Sequence, residues 1–292
     1  MRRLLSTHLF ASRKLTPEIL GMVADAGFGG LEISCIRSHF DFHEEAEIRE
    51  LGKMLAGRNL TLAGLHAPNN RDSSASREGG SPLSLCEAER VRRIEAMDEY
   101  KRAIDVAGIL PYGILVLHMG GPRETPDERK RDAAFSSLEH LMLHARHAGV
   151  TLAIENTASE MGDSAWLRSF LDETRLTGIR ICFDTGHAHL TEGPAEERLA
   201  KSFAPLRELV ATAHLHDNHG EKDEHLPPYE GTLDWTVAAG LLATAPVQPL
   251  PLVLELKENI GPEAPPLAAQ LEAGRRAMDR LEETLQEARQ AR

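Results

Sequence analysis

GILVLHMG (113–120), TPDERKRDAAFSSLEHLMLHARHAG (125–149) and TLAIENT (151–157) are the stretches that decide the fold of this chain. The first and third are short apolar runs rich in branched side chains, which predicts two strands. The middle stretch begins with Thr-Pro-Asp, ends with Gly and has a helical period, which predicts a helix. A helical connection of this kind joins parallel strands by a right-handed crossover. The three stretches therefore predict one β–α–β unit.

The same alternation continues in both directions along the chain. Six more apolar runs are predicted strands: LLSTHLF from Leu4, GLEISC from Gly30, LTLAGLHAP from Leu60, IRICFDTGHA from Ile179, LVATAHLHDN from Leu209 and PLVLELK from Pro251. Helical segments separate them. One begins with Thr16 as N-cap and Pro17 in the first turn. Another, 89–108, places these apolar residues near one face: Val91, Ile94, Met97, Ile104 and Val106.

Eight β–α units in 292 residues predict a closed (β/α)8 TIM barrel of the α/β class, formed by a single domain over residues 1–292. An open doubly wound sheet would show the same alternation. However, the Gly-rich phosphate-binding fingerprint of such sheets does not follow the first strand. The insert NNRDSSASREGGSPLS, from Asn69, follows the third strand and is predicted to be a loop or lid at the mouth of the barrel.

Composition limits the class of protein and its partners. Lys and Arg total 33 against 45 Asp and Glu, a net charge of −12, and 41% of residues are hydrophobic. This apolar fraction excludes a disordered chain. The acidic balance argues against a general nucleic-acid binder, because such binding depends on neutralising phosphates. A small phosphorylated substrate remains compatible with this charge, and self-association into a homo-oligomer is left open.

The cysteines and apolar segments indicate a compartment. The three cysteines, Cys35, Cys86 and Cys182, are far apart and form no CxxC motif, which suits a reducing compartment. The N-terminal segment is too polar for a signal peptide, and no stretch approaches the ~18 apolar residues of a membrane span. We therefore expect a soluble cytoplasmic protein. The fourteen histidines remain to be explained.

Polar residues recur where the predicted strands end. Seven of the eight strands have His or a carboxylate at or near their last position: His8, His66, His118, Glu155, Asp184 with His187, His214 with His216, and Glu255. Glu32 lies earlier, in the middle of the second strand. Active sites of TIM barrels lie at these strand ends. Histidine and carboxylate ligands without thiolate are typical of Zn²⁺, Mn²⁺ or similar ions. Cys182 is instead predicted to pack inside the barrel.

With these residues in order, the chain resembles the xylose isomerase-like TIM-barrel superfamily, which includes sugar (phosphate) isomerases and epimerases and endonuclease IV. The resemblance covers nearly the whole chain. The segments that carry it are LHAP, LVLHMGG, AIENTA, CFDTGHAH, HLHDN, DEHLPPYEG and LELK. It implies a TIM barrel and an enzyme that depends on one or more divalent metal ions (Mn, Zn, Co or Mg).

The epimerase branch implies one metal ion held by Glu155, Asp184, His214 and Glu255. His214 is chosen over His216 because the family's His stands three residues before an acidic residue, here Asp217. The resemblance also implies that the two glutamates act as acid and base through an enediolate, and that His187 contacts the substrate. The predicted substrate-binding residues are His8, Glu32, His66, His187, His216 and Lys257.

The endonuclease IV branch implies up to three Zn²⁺ ions and a hydrolase. Its nine ligands match His66, His118, Glu155, Asp184, His187, His214, Asp223, His225 and Glu255. The Asp-x-His at 223–225 is not required by a single-metal epimerase. This chain departs from the ketose epimerases at two positions. It has Gly220 where those enzymes have an Arg and Met161 where they have a further Glu. The segments that contact DNA in the nuclease are not evident. A sugar isomerase or epimerase is therefore the leading hypothesis, and the hydrolase is the alternative.

Overall fold

The computed structural model describes residues 3–70 and 82–290 of the chain. Most of the predicted loop or lid that starts at Asn69 lies outside the described residues. The described strands are β1 (Arg3–Ser6), β2 (Gly30–Ser34), β3 (Thr61–His66), β4 (Ile114–His118), β5 (Thr151–Glu155), β6 (Arg180–Asp184), β7 (Val210–Leu215) and β8 (Leu252–Leu254). They pair in parallel in chain order, and β8 pairs with β1 to close the barrel. The predicted TIM-barrel fold is confirmed.

Helices alternate with these strands. They are α1 (Pro17–Asp25), α2 (Glu45–Ala56), α3 (Arg90–Asp105), α4 (Glu128–Ala148), α5 (Ser164–Thr174), α6 (Thr185–His189), α7 (Ala195–Leu206), α8 (Trp235–Leu242) and α9 (Leu267–Gln290). Short 3₁₀ turns cover Thr7–Phe10, Val106–Gly108, Glu160–Gly162 and Arg207–Leu209. The Thr16 hydroxyl accepts from the Ile19 N–H at the start of α1, as the sequence predicts.

One predicted helix face is partly wrong. Val91 and Ile94 on α3 are 62% and 49% exposed, and the buried side of that helix begins at Ala96 and Met97. The first turn of α3 therefore faces solvent, although its apolar residues follow the helical period. Among the described residues, no helix combines the length and apolar character needed to cross a bilayer.

The interior of the barrel changes from apolar to polar along its axis. Val116, Ala153 and Cys182 form a fully buried cluster, so the prediction that Cys182 packs inside is confirmed. Buried polar side chains, including Glu155 and His214, lie towards the carboxyl ends of the strands. A separate apolar layer between strands and helices provides most of the core. The polar end of the interior is therefore where the site is built.

Candidate metal centre

Because neighbouring strands are parallel and pair in register, their polar ends lie at the same height along the barrel axis. His118 on β4 is paired with Glu155 on β5, and Asp184 on β6 is paired with His214 on β7. Glu255 follows β8, where its N–H donates to the Leu215 carbonyl. Since all eight strands run in the same direction, these side chains converge at one mouth of the barrel.

Four side chains form a central group: Glu155, Asp184, His214 and Glu255. One ligand atom from each lies within 4.8 Å of the other three. Nδ1 of His214 is 3.4 Å from Glu155 Oε1 and 3.3 Å from Glu255 Oε2. Its distance to Asp184 Oδ2 is 3.9 Å. Three buried carboxylates thus surround one nitrogen of one imidazole.

The charges of the central group fit a divalent cation. Burial acts to raise the pKa of Glu155, but the charges of His214 and His118 lower this pKa well below its usual value. Burial also acts to raise the pKa of Glu255, but His214 lowers this pKa well below its usual value. Among the described residues, neither Glu155 Oε1 nor His214 Nδ1 has a hydrogen-bond partner. Buried polar atoms without hydrogen-bond partners are costly, and a cation at this point would give both atoms a partner.

A second group lies on the other oxygen of Glu155. Its Oε2 is 3.2 Å from His66 Nε2 and 3.1 Å from His118 Nε2. His66 Nδ1 donates to the Ala67 carbonyl, which leaves Nε2 facing Glu155. Burial opposes protonation of His66, but the hydrogen bond and charge of Glu155 raise its pKa to about 9. Glu155 therefore lies between two groups of potential metal ligands.

A third group contains His187, His216, Asp223 and His225, again with ligand atoms within 4.8 Å of one another. His187 Nε2 and His225 Nε2 are 3.4 Å and 3.1 Å from Asp223 Oδ2. The side chain of Asp223 is 42% exposed, whereas the three imidazoles are buried. All nine residues matched to the nuclease ligands thus fall into three adjoining groups, of which Glu155 belongs to two.

Glu32 lies behind His214 rather than at the mouth. Its Oε1 is 2.9 Å from His214 Nε2, and both side chains are almost fully buried. Gly64 leaves room here, since a Cβ at that position would be 2.9 Å from the Ile114 carbonyl oxygen and 3.5 Å from Glu32 Oε2. On its other side Glu32 borders a largely apolar cavity of about 210 Å³. Glu32 thus contacts the far nitrogen of a candidate ligand.

An open cavity of about 560 Å³ lies above the three groups. Of the predicted substrate-binding residues, His8, His66, His187 and Lys257 line this cavity, whereas Glu32 and His216 do not. His8 lies in the 3₁₀ turn after β1, with its Nδ1 3.9 Å from Glu255 Oε1. Burial lowers the pKa of His8 to about 4, so this imidazole is neutral near pH 7.

Sequence reasoning assigned no role to Asn156, which positions two candidate ligands. Its side chain accepts from the Asp184 N–H at 2.8 Å and donates to the Asp184 carbonyl at 2.9 Å. His187 Nδ1 donates to the Asn156 carbonyl at 3.0 Å. The sequence contains one indication of this role, which is that Asn156 directly follows Glu155. Ser34, Asn69 and Asn70 were also missed, and all three line the cavity.

Asp217 organises the loop that carries Asp223 and His225. Its buried carboxylate accepts from the N–H groups of Asn218, Tyr229 and Leu233. Trp235 Nε1 also donates to it at 2.8 Å. In the sequence, Asp217 is notable only as the acidic residue three positions after His214. The structure shows that it holds together both ends of the loop after β7.

The histidines on the outer helix stay away from the mouth. His140 Nδ1 and His147 Nδ1 donate to carbonyls one turn earlier in α4. His144 Nε2 lies 2.6 Å from Asp105 Oδ1. These residues do not join the metal-binding groups formed by the described residues. Strand-end position, rather than histidine content alone, therefore distinguishes the site.

Comparisons with known proteins agree with this architecture. A family model described as a xylose isomerase-like TIM barrel matches residues 20–284. The uncharacterized protein y4fM of Sinorhizobium fredii is 24% identical over 242 residues, which cover 77% of this chain and 76% of that protein. The structure of a D-tagatose 3-epimerase-like protein has a TM-score of 0.78 at 21% identity, over 100% of this chain and 99% of the other. D-psicose 3-epimerase with D-tagatose from Clostridium cellulolyticum has a TM-score of 0.73 at 16% identity, over 98% and 99% of the chains.

Proposed function

This chain belongs to the xylose isomerase-like TIM-barrel family, and from that premise we propose that it is a divalent-metal-dependent isomerase or epimerase of a small sugar or sugar phosphate. One observation carries the proposal: Glu155 and Glu255, two buried carboxylates with lowered pKa, converge below an open cavity of about 560 Å³. That volume suits a small ligand. Two solved structures of similar fold bear the names of sugar epimerases, which agrees with this proposal.

In this proposal the central group holds the ion. Glu155, Asp184, His214 and Glu255 are the ligands, and Asn156 and Glu32 orient two of them. When bound, the ion supplies positive charge that polarises a carbonyl and stabilises the negative charge formed when a neighbouring C–H loses its proton. The lowered pKa values keep both glutamates ionised near neutral pH, so either one can accept that proton.

The two glutamates each direct one oxygen away from His214. Glu255 Oε1 accepts from the Ser6 hydroxyl at 3.5 Å and lies close to His8, at the cavity wall. Glu155 Oε2 lies against His66 and His118. We assign these oxygens to proton transfer on the two sides of a bound sugar. His187 and neutral His8 contact hydroxyl groups of the substrate.

Lys257 contributes a cation at the wall of the cavity. Its neighbour Glu258 pairs with Arg13 and accepts from the Ser12 hydroxyl. Glu258 is therefore engaged by Arg13 and Ser12, and we assign Lys257 to a hydroxyl or an anionic group of the substrate. Localisation in the cytoplasm remains a prediction of the sequence alone.

Solvent exchange tests the proposed function directly. The metal-loaded chain is incubated in D₂O with a panel of ketoses, aldoses and their phosphates, and deuterium in the recovered sugar is measured by mass spectrometry. We expect deuterium at the carbon next to the carbonyl. Glu155→Gln and Glu255→Gln should each lower the exchange rate by about 10²- to 10⁴-fold, the usual contribution of a general base. Exposed Glu173→Gln is the matched control. Equal exchange in all variants would contradict the assigned roles.

The hydrolase alternative has its own supporting observation. His187, Asp223 and His225 adjoin the central group, so the residues of a multinuclear centre are present. Two or three ions would then generate hydroxide and stabilise a phosphate leaving oxygen. Cleavage of abasic-site DNA by the wild type, lost in the double variant Asp223→Ala/His225→Ala, would favour this alternative. Sugar exchange without DNA cleavage would favour the isomerase.

A further inference from the structure

His216 is a histidine of the mouth that has no contact with the cavity. It directly follows β7, and its side chain is fully buried. It is not among the described residues that line the cavity. Its Nε2 instead lies against the carboxylate of Asp184, 3.0 Å from Oδ1 and 3.1 Å from Oδ2. This hydrogen bond to a candidate ligand of the central group is the contact that a role for His216 has to explain.

The hydrogen bond runs from the imidazole to the carboxylate, because an ionised carboxylate can only accept. Asp184 Oδ1 also accepts from the His187 N–H at 2.6 Å, and the Asp184 backbone is paired with the Asn156 side chain. Asp184 Oδ2 is the oxygen that faces His214 Nδ1, at 3.9 Å. Because Nε2 of His216 is nearly equidistant from both oxygens, it holds the plane of the carboxylate and keeps Oδ2 directed at the central group.

Packing holds the ring of His216 in this orientation. The ring stacks on His225 with centroids 3.9 Å apart and an interplanar angle of 15°. It also lies directly over Gly186, where a Cβ would be 2.0 Å from the ring. The Thr185 hydroxyl donates to the His216 carbonyl, which fixes the backbone beside the ring. Since interiors are close-packed, any side chain at 186 would displace the ring, so Gly186 and His216 depend on each other.

We propose that His216 is a positioning residue, which donates to Asp184 and orients that carboxylate towards a divalent ion in the central group. Groups that hydrogen-bond to metal ligands fix the direction of those ligands and strengthen metal binding. Nδ1 of His216 has no hydrogen-bond partner among the described residues, so the hydrogen bonding of this ring is directed at Asp184 through Nε2. The inference rests on the proposed function in expecting a divalent ion at the central group.

Positioning of a metal ligand and direct contact with substrate have different consequences. A residue that only contacts the sugar changes the KM when metal is saturating and leaves the affinity for metal unchanged. A residue that orients Asp184 changes the Kd for the ion first. A residue needed only for packing is replaced without loss by an apolar side chain of similar size. Metal affinity, the KM and the choice of substitution together therefore distinguish the three roles.

Metal affinity of the full chain, measured by competition with a chelating dye, tests the proposal. His216→Leu fills the space of the ring without a donor, whereas His216→Gln keeps an N–H near the position of Nε2. Exposed His219, which pairs with Glu224, gives the control variant His219→Ala. We expect the Kd for Zn²⁺ or Mn²⁺ to rise by about 10- to 100-fold in His216→Leu, to recover in part in His216→Gln and to stay unchanged in the control. The double variant Glu155→Gln/Glu255→Gln identifies the binding step that belongs to the central group.

Gly186→Ala tests the same role and leaves every hydrogen-bonding side chain in place. The added methyl group should displace the ring of His216 and raise the Kd to a similar extent. In the His216→Ala background there is no ring to displace, so the same change should raise the Kd by less than about twofold. Urea denaturation establishes that each variant is folded.

Three results would overturn the inference. They are an unchanged Kd in His216→Leu, independent effects of Gly186→Ala and His216→Ala, and a raised KM for the sugar at saturating metal with an unchanged Kd. The last result would assign His216 to the substrate. Metal binding that is unaffected by Glu155→Gln/Glu255→Gln would overturn the proposed function as well, so failure of this inference alone is distinguishable.

Discussion

The two nitrogens of His214 have different partners, and this asymmetry is set by one buried residue. Nδ1 faces the carboxylates of the central group, while Nε2 lies 2.9 Å from Glu32 Oε1. A carboxylate behind a histidine ligand fixes the ring and raises its basicity. Glu32, which the sequence predicts as a substrate contact, is therefore better placed to position His214.

Removal of the Glu32 carboxylate should weaken metal binding at the central group. We expect Glu32→Ala to raise the Kd for Zn²⁺ or Mn²⁺ by about 10- to 100-fold, the usual effect of losing such a partner. Glu32→Gln should recover part of the affinity, because its side chain keeps the size of Glu32 and an oxygen beside Nε2. Competition with a chelating dye measures both values, with exposed Glu173→Gln as control. Identical affinities in all four proteins would contradict this role.

At the scale of elements, strands end earlier than the sequence predicts because polar side chains begin new turns. The Ser6 hydroxyl accepts from the His8 N–H and begins a 3₁₀ turn, and Asp184 accepts from the His187 N–H and begins α6. His8 and His187 thus leave their strands and still reach the mouth. The alternation of apolar runs with helical segments predicts that the strands exist and that their polar ends lie at the same height along the barrel axis. The turns were not predictable, because they depend on local hydrogen bonds that compete with the sheet.

The loop after β7 should depend on Asp217 for its stability. Asp217→Ala leaves the buried N–H groups of Leu233 and Trp235 without their acceptor, at a cost of about 1–3 kcal/mol for each unpaired group. We expect the free energy of unfolding of the metal-free chain to fall by about 3 kcal/mol, measured by urea denaturation. The exposed carboxylate of Glu230 gives the control variant Glu230→Ala. A loss below about 0.5 kcal/mol in Asp217→Ala would contradict this expectation.

For the whole molecule, closure of the barrel decides which residues meet. Glu32 and His214 belong to the second and seventh strands, so their contact exists only across the closed interior. The sequence indicated that histidines and carboxylates gather at one mouth, but it could not show how they divide into adjoining groups that share Glu155. That division depends on side-chain direction in a curved sheet. The charge of −12 includes the buried carboxylates of this mouth, which a bound ion would neutralise.

Divalent metal should therefore stabilise the folded chain as a whole. An ion that binds only the folded state contributes about 2.7 kcal/mol at a free concentration 100 times its Kd. We expect Zn²⁺ or Mn²⁺ to raise the Tm by about 5–10 °C, at the 2–4 °C per kcal/mol typical of large domains. Thermal unfolding with and without a chelator measures this shift. The double variant Glu155→Gln/Glu255→Gln should show a much smaller one, and equal shifts would place the stabilising ion elsewhere.

The sharing of ligands between groups has a consequence for the order in which ions are taken up. Glu155 directs one oxygen to the central group and the other to His66 and His118. In the same way, His225 belongs to the third group, with Asp223, and to a further possible ligand group with His8 and Glu255. An ion bound in one group therefore changes the negative charge that the shared ligands offer to an ion in the neighbouring group. The successive affinities are linked, and the linkage is reciprocal. Metal ions therefore bind to this mouth cooperatively and in a preferred order, and the shared ligands determine that order.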